Sequence, residues 1–418
     1  MVELAAKGYA YDLISDAQVA QAGFENPDNI TGHFVPGSIA VHSSSASSDR
    51  GNYQALLVPS TDHMQLATLQ HLLSLASSGA TVLFKDSLPA DVPGFGALEE
   101  RRAKFKSELA TLKWSEFNNA GLRTARLGEG RLIMGTDLHE LLAAAKITRE
   151  SLSDTGLKFA RRRTGDGYAY FLANLTGQGV DGWARLERSA QSAVQMNPRS
   201  GETGVAKMRQ RDGATEVYLQ LAPGETFFIK TFSKRDAPGS PVYYSHRGSP
   251  TPLASEWRVT ALKGGPELPP AFATKELTSW TTQGGEWERF AGTARYETEL
   301  TLPDGVKADD WLLDLGDVRE TARIFVNGVE TDLIWSLPAR TKIGRFLKPG
   351  KNTLALEVTN LAANRIRDLD RRKVEWKKFH EINFVNIFYK PFDAANWPLQ
   401  PSGLLGPVQL VPLTFFQP

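Results

Sequence analysis

Residues 312–360 read LLDLGDVRETARIFVNGVETDLIWSLPARTKIGRFLKPGKNTLALEVTN, a succession of short apolar runs, each closed by turn chemistry. The β-rich run 322–326 ends in Asn327-Gly328, the pair that accepts the positive φ angles of a tight hairpin. Pro349-Gly350-Lys351-Asn352 marks a second turn. The run after it alternates: Leu354, Leu356 and Val358 point one way, and Thr353, Ala355, Glu357 and Thr359 the other. That pattern requires a half-buried strand in an antiparallel sheet.

The same logic organises the rest of the chain. Residues 257–262 and 292–300 extend the final β region, with Trp280 and Trp287 between them. Upstream, 168–174, 183–186, 215–221 and 226–232 read as strands, with Pro223-Gly224 as a turn, and their spacing indicates a small β-sandwich. Residues 236–254 are rich in Pro, Gly and Ser and form the expected linker. The first part is different. The apolar run 53–59 fits a strand buried on both faces of a parallel sheet. Ser60-Thr61-Asp62 offers N-cap residues, and Leu66, Leu69, Leu72, Leu73 and Ala76 recur at helical spacing up to Gly79. A strand at 80–84 completes a crossover unit. A charged helix at 98–112, a short strand at 131–134 and a helix at 137–145 follow. The expected architecture is thus multidomain, α/β plus all-β: an α/β domain over 1–155, a small β-sandwich over 156–235, the linker 236–254, and a β domain over 255–418.

Composition narrows the function. The chain has 418 residues, 41% of them apolar and 23% charged, as in ordinary globular proteins. Its formal net charge of +1 implies no bulk attraction to nucleic acid or anionic membrane, so neither partner is expected. No apolar run approaches the ~20 residues of a membrane span. Cysteine is absent, which removes disulfides, thiolate nucleophiles and cysteine metal sites together. Pro59-Ser60-Thr61 is not the Gly-x-Ser-x-Gly elbow of a serine hydrolase. His33, His42, His63 and His71 are scattered and read as surface or packing residues, and Gly94-x-Gly96 lacks the third glycine of a dinucleotide site. The N-terminus has no basic segment followed by an apolar core, so no signal peptide is expected.

The segments LDLGDV, FVNG and LKPGKNTLALEVTN, with Asn364-Arg365-Ile366, Asp368 and the closing Gly403-Leu404-Leu405-Gly406-Pro407-Val408, resemble a known pattern. It is the sugar-binding jelly roll of glycoside hydrolase family 2 and its relatives, and most closely the C-terminal region of glycoside hydrolase family 106, the α-L-rhamnosidases. The resemblance is specific over the last ~170 residues and looser before them. It implies a galactose-binding-like jelly roll at the C-terminus. The layout of 1–155 is similar to a glutamine-amidotransferase-like domain, here without the cysteine that amidotransferase chemistry needs. Implied too are a rhamnose-containing oligosaccharide or glycoside as ligand and a periplasmic or secreted setting.

In that family the catalytic acid and base are expected on a (β/α)8 barrel, which needs ~250 residues or more and is not legible here. No residue therefore inherits a catalytic role, and the barrel would be a separate or missing partner. Glu297 and Glu299, roughly 7 Å apart along one strand, mimic a glycosidase pair but read as a solvated strand edge. The substrate-contact candidates are Asn364, Arg365 and Asp368, expected at a strand end, with Trp376 and Trp397 as sugar-stacking platforms. Trp335 reads as core. No cofactor is required by the pattern. A structural or barrel-associated calcium ion is compatible with it, and Asp304, Asp309, Asp310 and Asp314 offer oxygens without diagnostic spacing. The alternative reading is a stand-alone, non-catalytic carbohydrate-binding protein.

Overall fold

The computed structural model describes residues 2–25, 38–42, 50–234, 243–246, 249–253, 255–302, 305–378, 385 and 388–418. His33, Asp304, His380 and much of the expected linker lie outside them. The chain divides into two compact units, Met1–Ser151 and Leu152–Pro418. The described residues are mostly strands with few helices, as expected for an α/β plus all-β chain. No helix among them is long and apolar enough to cross a membrane.

In the first unit, strands Leu56–Val58, Thr81–Lys85 and Gly130–Gly135 lie parallel, and Leu122–Leu127 closes the sheet antiparallel to the last of these. Leu83 and Phe84 are fully buried, as a two-sided parallel strand requires. Helix Leu66–Ser77 buries Leu69, Leu72, Leu73 and Ala76, the residues whose spacing foretold it. It begins later than Ser60-Thr61-Asp62 implied, at Gln65, without a side-chain cap. Those polar groups serve the preceding loop instead: the Thr61 hydroxyl donates to the His63 carbonyl, and the Asp62 carbonyl accepts from the Ala90 and Asp91 amides. Asp137 does cap the helix Leu138–Ala144, accepting from the His139 and Glu140 amides at 2.7 and 3.0 Å. The unit also contains a three-stranded antiparallel sheet, Gly23–Glu25, Ser38–His42 and Arg50–Tyr53, which the sequence reading missed.

The second unit begins with two antiparallel sheets. Five strands run in the order Thr203–Val205, Ser192–Met196, Thr226–Phe232, Gly167–Ala173, Lys158–Thr164, and three in the order Val180–Leu186, Ala214–Leu221, Met208–Arg211. Alternation on Ala214–Leu221 sends Val217, Leu219 and Leu221 into a core shared with Tyr170, Leu172 and Ile229. A six-stranded sheet follows in the order Phe272–Thr274, Trp257–Gly265, Ala291–Thr301, Lys351–Thr359, Thr321–Val326, Val329–Ile334. It shares a core with a sheet that includes Asp310–Asp314, Arg340–Lys342 and Gln409–Phe416.

Two parts of the expected linker are strands: Tyr243–His246 and Thr251–Pro252 both pair with Gln409–Phe416. Burial explains the difference, because Tyr243 is only 2% exposed. Its hydroxyl accepts from the Lys207 amide at 2.8 Å and donates to the Tyr218 carbonyl at 3.2 Å. Arg199 adds an ion pair to Asp332 at 2.9 Å, so the two β regions of this unit are tied together by side chains as well as backbone.

The two turns that announced the final β region are joined to each other. Asn327 and Gly328 both take left-handed angles, φ 52° and 80°, and close the Val326–Val329 hairpin. The Asn327 amide nitrogen donates to Asn352 Oδ1 at 2.8 Å, while Asn352, 2% exposed, donates to the Lys348 and Gly350 carbonyls. Replacing Asn352 by alanine would remove its hydrogen bonds to Asn327 and to the Lys348 and Gly350 backbone, which lock the two turns together. Asn352→Ala is expected to cost about 1–3 kcal/mol, read in urea as a lower midpoint with an unchanged m-value.

Candidate functional site

The charged segment that held most of the candidates is helical, not a strand end: residues Ala363–Arg371 form an α-helix. Its sequence, ANRIRDLDR, puts opposite charges three and four residues apart, where helix side chains meet. Asp368 accepts from Arg365 at 2.9 Å and from Arg372 at 2.7 Å. Lys373, at φ 56°, ends the helix, and the Val374 amide reaches back to the Leu369 carbonyl at 2.9 Å. Arg365 and Asp368 are therefore brought together as a pair, with Arg372 as a third member.

Asn364 is placed differently from the other candidates. It is 2% exposed and holds the helix to the core. Its amide nitrogen donates to the Gln400 carbonyl at 2.8 Å and the Ser402 hydroxyl at 3.3 Å, and its oxygen accepts from the Gln400 amide at 2.8 Å. No polar atom of Asn364 is left for a ligand, so it acts as a pin.

Trp376 and Trp397 belong to one aromatic cluster. Phe392 stands edge-on between them, with ring centroids 6.1 Å from Trp376 and 5.5 Å from Trp397. Asp370 organises this cluster, and the sequence reading did not single it out. One of its oxygens accepts from the Trp376 indole at 2.7 Å and pairs with Lys377 at 3.1 Å, and the other accepts from the Ala394 amide at 2.8 Å. Burial works to raise the pKa of Asp370, but the Ala394, Trp376 and Lys377 hydrogen bonds outweigh it and hold the carboxyl below its ordinary value. The only sequence signal for this role was helical phase: Asp370 lies two residues after Asp368 and so faces another direction. A shallow cleft of about 300 Å³ opens beside Asp370, Trp376, Lys377 and Asp393. A second, of about 380 Å³, lies along the helix and the short helix Gly285–Arg289.

Other candidates fall elsewhere. Trp335 is 60% exposed, not core, because the adjacent Ile334 takes the inward position of that strand end. Trp280 and Trp287 are buried among the core aromatics. Glu297 and Glu299 are exposed and paired with Arg295 and Lys351, each at 3.0 Å. Asp309, Asp310 and Asp314 accept hydrogen bonds from the amides of Phe415, Trp311 and Gly316 in turn. Among the described residues, no group of three His, Asp or Glu side chains has the geometry to hold a metal ion. Among the described residues, the carboxylates whose pKa is displaced, Asp91, Glu100, Asp137, Asp332 and Asp370, all have it lowered.

Comparison with known proteins points to glycoside hydrolases. Residues 7–210 match glycoside hydrolase family 106, alpha-L-rhamnosidase. The structure superimposes on a rhamnosidase from Novosphingobium sp. PP1Y with a TM-score of 0.67 and 26% identity, covering 96% of this chain and 36% of that one. A Formosa agariphila protein named "Putative beta-glucuronidase" is 29% identical over 224 residues, 46% of this chain and 19% of that protein. The chain thus carries a family-106-like rhamnosidase region and spans about a third of the rhamnosidase and a fifth of the curated relative.

Asp370 gives this face a defined acid response. Its folded value lies below the ordinary value of about 3.9, so its stabilisation is present above that value and is lost as pH falls through the lower, folded one. Exchange protection of the Ala394 amide should therefore persist through pH 4 and fall below it. In Asp370→Asn this step should vanish, and Lys377 should lose its ion-pair partner and keep the Phe392 carbonyl.

Proposed function

We propose that this chain is the accessory, C-terminal part of an α-L-rhamnosidase-type glycoside hydrolase. It acts on rhamnose-containing glycans together with a catalytic barrel outside this chain. The observation that carries the reading is the superposition that takes in nearly all of this chain but about a third of the rhamnosidase. Two further points support it. A glycosidic general acid needs a raised pKa, whereas the carboxylates displaced among the described residues are lowered. Parallel strand pairing among the named strands is confined to one four-stranded sheet, far short of an eight-stranded barrel.

In this reading the first unit is an amidotransferase-like α/β domain without the nucleophile. Residues 156–235 form a bracing β-sandwich, and 255–418 a galactose-binding-like jelly roll related to that of family 2. Arg365, Asp368, Trp376 and Trp397 form the sugar-contact face: the aromatic rings offer stacking surfaces for sugar C–H faces, and the Arg/Asp pair offers hydrogen bonds to hydroxyls. Any calcium ion would belong to the barrel or to a structural site.

Hydrolysis of an aryl α-L-rhamnoside tests this. The chain alone should be inactive, and the chain joined to a family-106 barrel should release the aryl group. Turnover by the chain alone would defeat the reading. Binding of rhamnosides with no turnover in either form would favour a non-catalytic carbohydrate-binding protein.

A further inference from the structure

The cleft along the Ala363–Arg371 helix carries more positive charge than its neighbours balance. Arg289, Arg367, Arg371 and Arg372 line it, against the carboxylates Glu288 and Asp368 and the neighbouring Glu267 that pairs with Arg289, an excess of one positive charge (four less three). Arg372 is engaged by Asp368, and Arg367 reaches Glu288 only at 3.4 Å. Arg371 is exposed and has no ion-pair partner among the described residues. Arg289 pairs with Glu267, yet its Nε is buried without a hydrogen-bond partner among the described residues. The Arg289 Nε is enclosed, so the guanidinium groups open to a ligand are chiefly those of the exposed Arg371 and Arg372.

The cleft also adjoins an apolar surface. Arg367 Nε donates to the Trp397 carbonyl at 2.8 Å, and Trp397 continues through Phe392 to Trp376. Trp397 is 37% exposed. Guanidinium forks beside aromatic rings suit a ligand with an anionic group on a saturated ring. The chain's near-neutral net charge argues against a long polyanion.

We infer that this arginine cleft is a subsite for an acidic sugar, binding the carboxylate of a uronic acid or a sulfate ester on the residue next to one stacked at Trp397. The inference rests on the reading of this face as sugar-contacting and specifies its substrate class. In an alternating acidic and neutral glycan the cleft would set register, because the charged residue can occupy only the arginine end.

Calorimetric titration of the chain with three disaccharides tests it: glucuronosyl-rhamnose, glucosyl-rhamnose, and glucosyl-rhamnose sulfated at glucose O6. The first two differ only in a carboxylate against a hydroxymethyl group, and the third distinguishes sulfate from carboxylate. At least one anionic disaccharide should bind about tenfold tighter than the neutral one, and the advantage should shrink with added salt. Arg371→Ala should remove most of that difference with the melting temperature unchanged. Arg371→Lys, which keeps the charge but loses the fork, should restore part of it. Equal binding of all three, or a preference untouched by Arg371→Ala, would overturn the inference and leave the sugar-contact reading standing. No binding of any of the three would overturn the sugar-contact face itself, while the aryl-rhamnoside assay decides the rhamnosidase reading separately.

Discussion

The final β region and its polar face depend on one buried hydrogen-bond hub at Ser402. This serine is 2% exposed. Its hydroxyl accepts from Asn360 at 3.1 Å and Asn364 at 3.3 Å, its amide donates to Ser279 Oγ at 2.9 Å, and its carbonyl accepts from the Trp280 amide at 3.0 Å. Four segments far apart in sequence are thereby joined at one point: the end of Lys351–Thr359, the start of the arginine helix, the Trp280 turn and the returning C-terminal strand. Gly403 is required beside it. At φ 99° it has no room for a Cβ, which would lie 2.4 Å from the Tyr296 hydroxyl and 2.8 Å from the Trp280 ring. Buried polar groups leave few alternatives once satisfied, which is why this hub fixes where the helix starts and which face it turns outward.

From that anchor the helix sorts its charges by direction. Asn364 faces the core, Asp368 faces Arg365 and Arg372, and Asp370 faces the aromatic cluster. Two carboxylates two residues apart thus do different work. Asp368 restrains two arginines of the cleft region, while Asp370 holds Trp376 and Lys377 and, through the Ala394 amide, the loop that carries Trp397. The aromatic platform and the arginine cleft are held by one element, so a change in the helix is felt by both.

The resemblance behind the sequence reading lay mainly in the last part of the chain, whereas the family match falls on residues 7–210. Both point to the same kind of enzyme, but they rest on different halves. The C-terminal pattern is turn chemistry and alternation, which many β domains share for the same physical reasons, and that makes it an informative guide to fold and a weak one to family. The arginine-rich segment misled the strand-end reading because charged residues carry no apolar periodicity. Its helical phase shows only in the Arg365–Asp368–Arg372 spacing. Trp335 misled because its core reading came from its place in the family pattern, whereas the phase of the strand gives the inward position to Ile334.

Local chemistry alone determined a good deal. The Asn327-Gly328 hairpin, the alternation of Lys351–Thr359, the crossover from Leu56–Val58 through Leu66–Ser77 to Thr81–Lys85, and the exclusion of thiol chemistry all follow from residues near one another in the chain. Tertiary structure alone decided the rest: that Asn364 is a buried pin, that Asp370 is the hub of the aromatic cluster, and that Arg289 from a distant short helix joins Arg367, Arg371 and Arg372. Those facts depend on long-range hydrogen bonds and burial. Apart from Trp376 and Lys377, which follow Asp370 by six and seven residues, their partners lie tens of residues apart, and no local pattern in the sequence encodes such distances.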